Sequence, residues 1–152
     1  MALSMGTRAP DFEGKTDEGS QIRLYEVLNS GPVVLYFYPK DETPGCTKEA
    51  CTFRDNWDEI RELGGTVLGV SSDSVESHKS FKEHRKLQFT LVSDPDGKIR
   101  SMYQAKGALL PDRITYVIDT DGTIKHVYKS QLNASRHADE AINALKVLKP
   151  EK

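Results

Sequence analysis

Two runs of consecutive apolar residues punctuate an otherwise polar chain: Val33-Val34-Leu35-Tyr36-Phe37-Tyr38 and Thr66-Val67-Leu68-Gly69-Val70-Ser71. Short, β-branched or aromatic runs without charge predict strands buried on both faces. Between them the period changes. Cys46, Ala50, Phe53, Trp57 and Ile60 recur every three or four residues, which predicts a helix from Pro44 to about Leu63 with one apolar stripe. Strand, helix, strand is a βαβ unit. Asp73 with Glu76 has the spacing of a capping box, and Val75, His78 and Phe81 carry the stripe of a second helix to about Arg85. A strand from Phe89 to Val92 stops at Asp94-Pro95-Asp96-Gly97, and a short helix from Ile99 to Tyr103 follows. Ile114 to Ile118 and Ile124 to Tyr128 flank Asp121-Gly122, a hairpin signal. Ala138, Ala141, Ile142, Leu145 and Leu148 are the inward face of a last helix. Ile22 to Leu28 suits either a short strand or a helical turn, and Gly6 to Gly19, with Phe12 as its one large anchor, predicts no element. Interleaved helices and strands with a late hairpin predict an α/β sandwich of three layers around a mixed central sheet.

Length fits this picture and adds one bound: 152 residues suit a single domain spanning residues 1–152. Apolar content of 37% and a net charge of −2 give no electrostatic reason to expect nucleic acid or an anionic membrane surface as a partner. The longest apolar run falls far short of the ~20 residues that span a bilayer. Two cysteines do not make a disulfide framework, and Met1-Ala2-Leu3-Ser4-Met5 does not read as a secretory leader, so a cytoplasmic location is expected.

The candidate chemistry lies where the first strand meets the first long helix. Thr43 suits the N-cap, Pro44 the first helical position and Cys46 the third. Orphan N–H groups and the positive end of the helix dipole there favour a thiolate, which makes Cys46 the candidate nucleophile. Cys51 is five residues on, about 140° round an ideal helix and roughly 8.6 Å away between Cα atoms. A disulfide needs those atoms within about 7 Å, so a bond between the two cysteines requires the first turns to unwind. Neither another cysteine pair nor a histidine at ligand spacing completes a tetrahedral metal set, so no metal is expected.

Plainer readings compete at each position. Buried cysteines are commonly inert, Thr43-Pro44 is also an ordinary helix start, and Glu49 is also an acid serving the macrodipole. Arg113 beside Asp112 could be a weak surface pair. His78 reads as packed and hydrogen-bonded, whereas His84, His126 and His137 stand among charged or polar residues, and none is needed as a base.

Pro39-Lys40-Asp41-Glu42-Thr43-Pro44-Gly45-Cys46-Thr47 resembles the active-site signature of the peroxiredoxins, and a second cysteine five residues later resembles their Q subgroup, the bacterioferritin comigratory proteins. The likeness continues in Gly6-Thr7-Arg8-Ala9-Pro10-Asp11-Phe12, in Gly69-Val70-Ser71 with Asp73, Ser74 and His78, and in Arg113-Ile114-Thr115-Tyr116-Val117-Ile118-Asp119. Leu110-Pro111-Asp112 departs from the commonest pattern. The resemblance implies a thioredoxin-like fold and a peroxidase that reduces hydrogen peroxide and organic hydroperoxides without metal, haem or other cofactor. By position it implies Cys46 as peroxidatic cysteine, Cys51 as resolving cysteine, Thr43, Pro39 and Arg113 as active-site residues, and Glu49 as the residue orienting the arginine. It further implies an intramolecular disulfide recycled by a thioredoxin-like or glutaredoxin-like protein, and a monomer or small oligomer. Two other classes stay open: a thiol-disulfide oxidoreductase, which the missing Cys-x-x-Cys spacing disfavours, and a binding module that has lost the chemistry.

Overall fold

The computed structural model describes residues 3–106, 113–131 and 133–148. Among them, strands β1 (Glu13–Thr16), β2 (Gln21–Arg23), β3 (Val33–Phe37), β4 (Thr66–Ser71), β5 (Thr90–Ser93), β6 (Ile114–Ile118) and β7 (Ile124–Lys129) form one sheet in the order β2-β1-β5-β4-β3-β6-β7. β3, β4 and β5 are parallel neighbours, and β6, β7, β1 and β2 extend the sheet antiparallel on either side, so it is mixed.

Alternation along β3 divides the core in two. Val33, Leu35 and Phe37 enter one cluster with Leu24 and Leu28 of helix α1 (Leu24–Leu28) and Ile99 of α5 (Lys98–Met102). Val34 and Tyr36, followed by Tyr38, enter the other with Phe53 of α2 (Pro44–Asp55), Ile60 of α3 (Trp57–Glu62), Phe81 of α4 (Val75–Arg85), and Ala138 and Leu145 of α6 (Arg136–Leu148). Two helical layers therefore cover the two faces of the sheet. Each fully buried large side chain contributes about 2 kcal/mol through removal from water. Gly69 on β4 leaves room for this packing: a Cβ there would lie 2.8 Å from the Tyr36 ring and 2.9 Å from Leu91.

Several local expectations change. Strand β1 lies in the stretch from which no element was expected; its Glu-Gly-Lys-Thr sequence buries only Thr16, and antiparallel pairing with β5 and β2 makes it a strand. Ile22 to Leu28 divides into both alternatives, β2 and then α1. The long helix predicted to Leu63 breaks at Asn56 into α2 and α3, because the Asn56 side-chain amide donates to the Thr52 carbonyl at 2.8 Å and closes the preceding turn. Nor does Asp73 cap α4. Ser74 does, its hydroxyl accepting from the Ser77 N–H at 3.1 Å, while the Asp73 carboxylate takes the Asp41 N–H at 2.8 Å. Among the described residues, no helix is long and apolar enough to cross a membrane.

Candidate active site

The site forms where β3 ends and α2 begins. Thr43 is extended at the N-cap (φ −79°, ψ 153°), Pro44 opens the helix, and Cys46 is its third residue, only 1% exposed. The expected side-chain cap is not made. The Thr43 hydroxyl donates to the Lys40 carbonyl at 2.8 Å, closing the preceding loop, and its backbone carbonyl takes the Thr47 N–H at 2.8 Å. Thr43 and Pro39 are both half-buried.

One turn further along α2, Glu49 is fully buried and accepts from the Arg113 guanidinium, Nη1 to Oε1, at 2.7 Å. Arg113 is thus buried and paired with Glu49; the surface pair considered with Asp112 falls outside the described residues, as does all of Leu110-Pro111-Asp112. Burial pulls the Arg113 pKa down, but the Glu49 and Cys46 charges beside it hold it above the ordinary arginine value. Gly45 makes the approach possible, since a Cβ at that position would lie 3.0 Å from Arg113 Nη2. Glu49 is therefore not merely a first-turn acid for the macrodipole. Burial pushes its carboxyl up to about 8, against the lowering influence of Arg113. Tyr36 walls this chamber, stacked on Phe53 with ring centroids 4.7 Å apart. Burial raises its phenol well above the ordinary value, so it remains neutral.

A second buried network secures the loop in front of Cys46. Asp41 accepts from Tyr38 at 2.6 Å and from Ser77 at 2.9 Å, and its Oδ2 lies 2.7 Å from His78 Nδ1. His78 Nε2 points at the Val92 carbonyl at 2.9 Å, so the packed, hydrogen-bonded role expected for this histidine is observed. Beside Asp41, Glu42 adopts a left-handed conformation (φ 62°) and pairs with Arg85 and His84. The loop is thus tied to α4 at two successive residues. Asp41, Asp73 and His78 also present donor atoms within 4.8 Å of one another, the one such group among the described residues. Their hydrogen bonds to each other and to the backbone already occupy these atoms.

Both cysteines carry free thiols. Cys46 is buried and Cys51 half-buried, and they share the unbroken helix α2. His137 differs from its sequence reading: although flanked by polar residues, it is fully buried in the first turn of α6, facing the end of β7. Its Nδ1 lies 2.7 Å from Thr115 Oγ1 and 3.4 Å from Glu49 Oε2. The available signal was helical spacing, because His137 precedes Ala141 and Leu145 on the buried stripe.

Comparison with known proteins gives this arrangement its context. The AhpC/TSA family matches residues 5–127. A chloroplastic peroxiredoxin Q of Sedum lineare is 43% identical over 150 residues, 97% of this chain and 80% of that protein. The crystal structure of peroxidoxin BcpB from Mycobacterium tuberculosis superposes with a TM-score of 0.92 at 38% identity, covering 97% of this chain and 99% of the other. A structure of the Xanthomonas campestris bacterioferritin comigratory protein, described for alkyl peroxide reduction, gives 0.85 at 30% identity over 99% and 100% of the two chains. With the sheet and the buried thiol already established, these likenesses define the class, a thiol peroxidase of thioredoxin-like fold. The chain belongs to the AhpC/TSA family, and within it to the peroxiredoxin Q group.

Proposed function

We propose that Cys46 is the peroxidatic thiol and Cys51 its resolving partner in a cycle that reduces hydrogen peroxide and organic hydroperoxides. One observation carries this reading: Cys46 is buried at the start of α2 beside a guanidinium that Glu49 grips from behind. In the first step the Cys46 thiolate attacks the terminal peroxide oxygen, the O–O bond breaks, and negative charge develops on the departing oxygen. Arg113 supplies a permanent cation for both the sulfur and that oxygen, with forked donors suited to hold them in line. The Thr43 hydroxyl, having donated to Lys40, retains lone pairs that accept from the peroxide O–H. Pro39 shields the thiolate from bulk water.

The products are a sulfenic acid, Cys46–SOH, and an alkoxide or hydroxide that takes a proton from solvent. Attack by the Cys51 thiolate on the oxidised sulfur forms the disulfide and expels hydroxide, which takes a proton from solvent to become water. Both residues lie in one helix, so α2 opens between oxidation and resolution. The break at Asn56 gives the opening a natural limit, leaving α3 fixed by buried Ile60. A thioredoxin-like or glutaredoxin-like dithiol then reduces the bond. The described activity of the Xanthomonas relative supports organic hydroperoxides as substrates alongside hydrogen peroxide. A cytoplasmic location, with a monomer or small oligomer as the working unit, completes the proposal.

The test is peroxide consumption with a recycling reductant. Cys46→Ser should abolish turnover, whereas Cys51→Ser should keep the first oxidation and lose recycling. Equal residual turnover in the two variants would overturn the assignment of roles.

A further inference from the structure

Glu49 is anchored at one oxygen only. Oε1 takes the Arg113 hydrogen bond, while Oε2, fully buried, has no hydrogen-bond partner among the described residues. His137 Nδ1 lies 3.4 Å from that oxygen. The other ring nitrogen fixes much of the proton accounting: His137 Nε2 faces the Ser130 carbonyl at 2.9 Å, and a carbonyl only accepts, so Nε2 carries hydrogen. The Thr115 hydroxyl, 2.7 Å from Nδ1, serves that nitrogen in either state, donating to it when bare and accepting from it when protonated, so the conflict falls on Oε2: ionised, it would be buried without a hydrogen-bond donor, which is costly. One proton between them removes the conflict, whichever atom holds it.

We propose that His137 is a positioning residue that shares one proton with Glu49, so that the pair is neutral overall and the charge of Arg113 remains available to Cys46. The inference rests on the role given above to Arg113. Every neighbouring charged or titratable group fits a neutral pair. Glu49 meets Arg113 from the segment before β6, Tyr36 from β3 and Cys46 from its own helix. His137 meets Arg113 and, on its own helix, Glu140, whose carboxylate is engaged by His126 and Arg136. Thr115 from β6 and the Tyr128 ring from β7, 4.7 Å between centroids, complete the enclosure. Burial drives both partners toward their uncharged forms, the Glu49 carboxyl up to about 8 and the His137 imidazole down to about 4.

The consequence is a pH signature. Once the shared proton leaves, near pH 8, the carboxylate competes with the Cys46 thiolate for Arg113, and the rate of Cys46 oxidation falls. Two substitutions separate the faces of the imidazole. Asparagine places its amide where Nδ1 stands and keeps a group facing Glu49; glutamine reaches the Nε2 position and keeps the Ser130 contact instead.

The experiment follows the second-order rate constant for Cys46 oxidation by hydrogen peroxide from pH 6 to 9, with thermal unfolding as a control. His137→Gln should lower the rate about tenfold, the size of one hydrogen bond to a charged group, and move the alkaline limb. His137→Asn should lose less than about threefold and keep the limb. Equal losses in the two variants, or profiles superimposable on the native one, overturn the proposal. If either variant unfolds, imidazole ¹⁵N chemical shifts of the native protein decide. A neutral ring that changes only near pH 8 supports the shared proton, and a ring titrating freely near pH 6.5 excludes it. An Arg113→Met variant as fast as the native protein would instead remove the underlying reading of the site.

Discussion

Among the described residues two buried histidine–carboxylate pairs, whose carboxylates Asp41 and Glu49 precede and follow Cys46 in sequence, are completed differently. At Asp41 and His78 the acceptors and donors are matched: tyrosine, serine and imidazole converge on the carboxylate, and a backbone carbonyl takes the second ring nitrogen. At Glu49 and His137 one carboxyl oxygen is left short of a partner and an arginine shares the chamber. A saturated network rigidifies the backbone that it joins. An unsaturated one keeps charge available. The first pair fixes the loop that precedes Cys46, and the second governs the cation that faces it.

Substitutions can break this contrast at either end. The largest effect is expected from Arg113→Met, which removes the charge facing the thiol: about 100-fold or more in the rate of Cys46 oxidation, read by stopped-flow mixing with hydrogen peroxide. Arg113→Lys should fall between, keeping the charge but not the fork. Asp41→Ala leaves His78, Tyr38 and Ser77 without their common partner and should cost about 3 kcal/mol or more in urea unfolding. A loss below 1 kcal/mol would deny that pair its structural role.

Stability against pH sharpens the comparison further. The Glu49 pKa is raised in the folded protein from the ordinary 4.5 to about 8, so its contribution is fully present below 4.5 and disappears as pH rises through 8. The His137 pKa is lowered from 6.5 to about 4, so its contribution is present above 6.5 and disappears as pH falls through 4. Between 4.5 and 6.5 the two slopes oppose. From 6.5 to 8 only the Glu49 slope remains, and stability should decline over that interval in urea titrations, a decline that Glu49→Gln removes. The smallest effect is expected at the loop tip, where Glu42→Ala breaks half-exposed pairs with Arg85 and His84 and should shift stability by about 0.5 kcal/mol or less.

Much of this arrangement was legible in the sequence because the relevant signals are local. β3, β4 and β6 are dense apolar runs, Asp121-Gly122 marks the turn into β7, and the punctuation Thr43-Pro44 set the start of α2 and the depth of Cys46 within it. What was hidden depends on partners remote in sequence. β1 has no apolar pattern and exists because β5 and β2 pair with it. Asn56 ends α2 by turning its amide back on the helix, an option open to any asparagine and so invisible in the sequence. Asp73 has the spacing of a cap yet turns inward to the Asp41 N–H, thirty-two residues away in sequence. His137 looked solvated because its sequence neighbours are polar, whereas the stripe it shares with Ala141 and Leu145 faces the core.

The central claim, that Cys46 takes the oxidation and α2 then opens to let Cys51 resolve it, is tested most directly by a single turnover. One equivalent of hydrogen peroxide is added to the freshly reduced protein, free thiols are counted, and linkages are mapped by mass spectrometry. The expected result is rapid loss of both thiols with a Cys46–Cys51 bond. Peroxide consumed with Cys51 still free and Cys46 alone oxidised would contradict the resolving role, and no reaction at Cys46 would contradict the cycle as a whole.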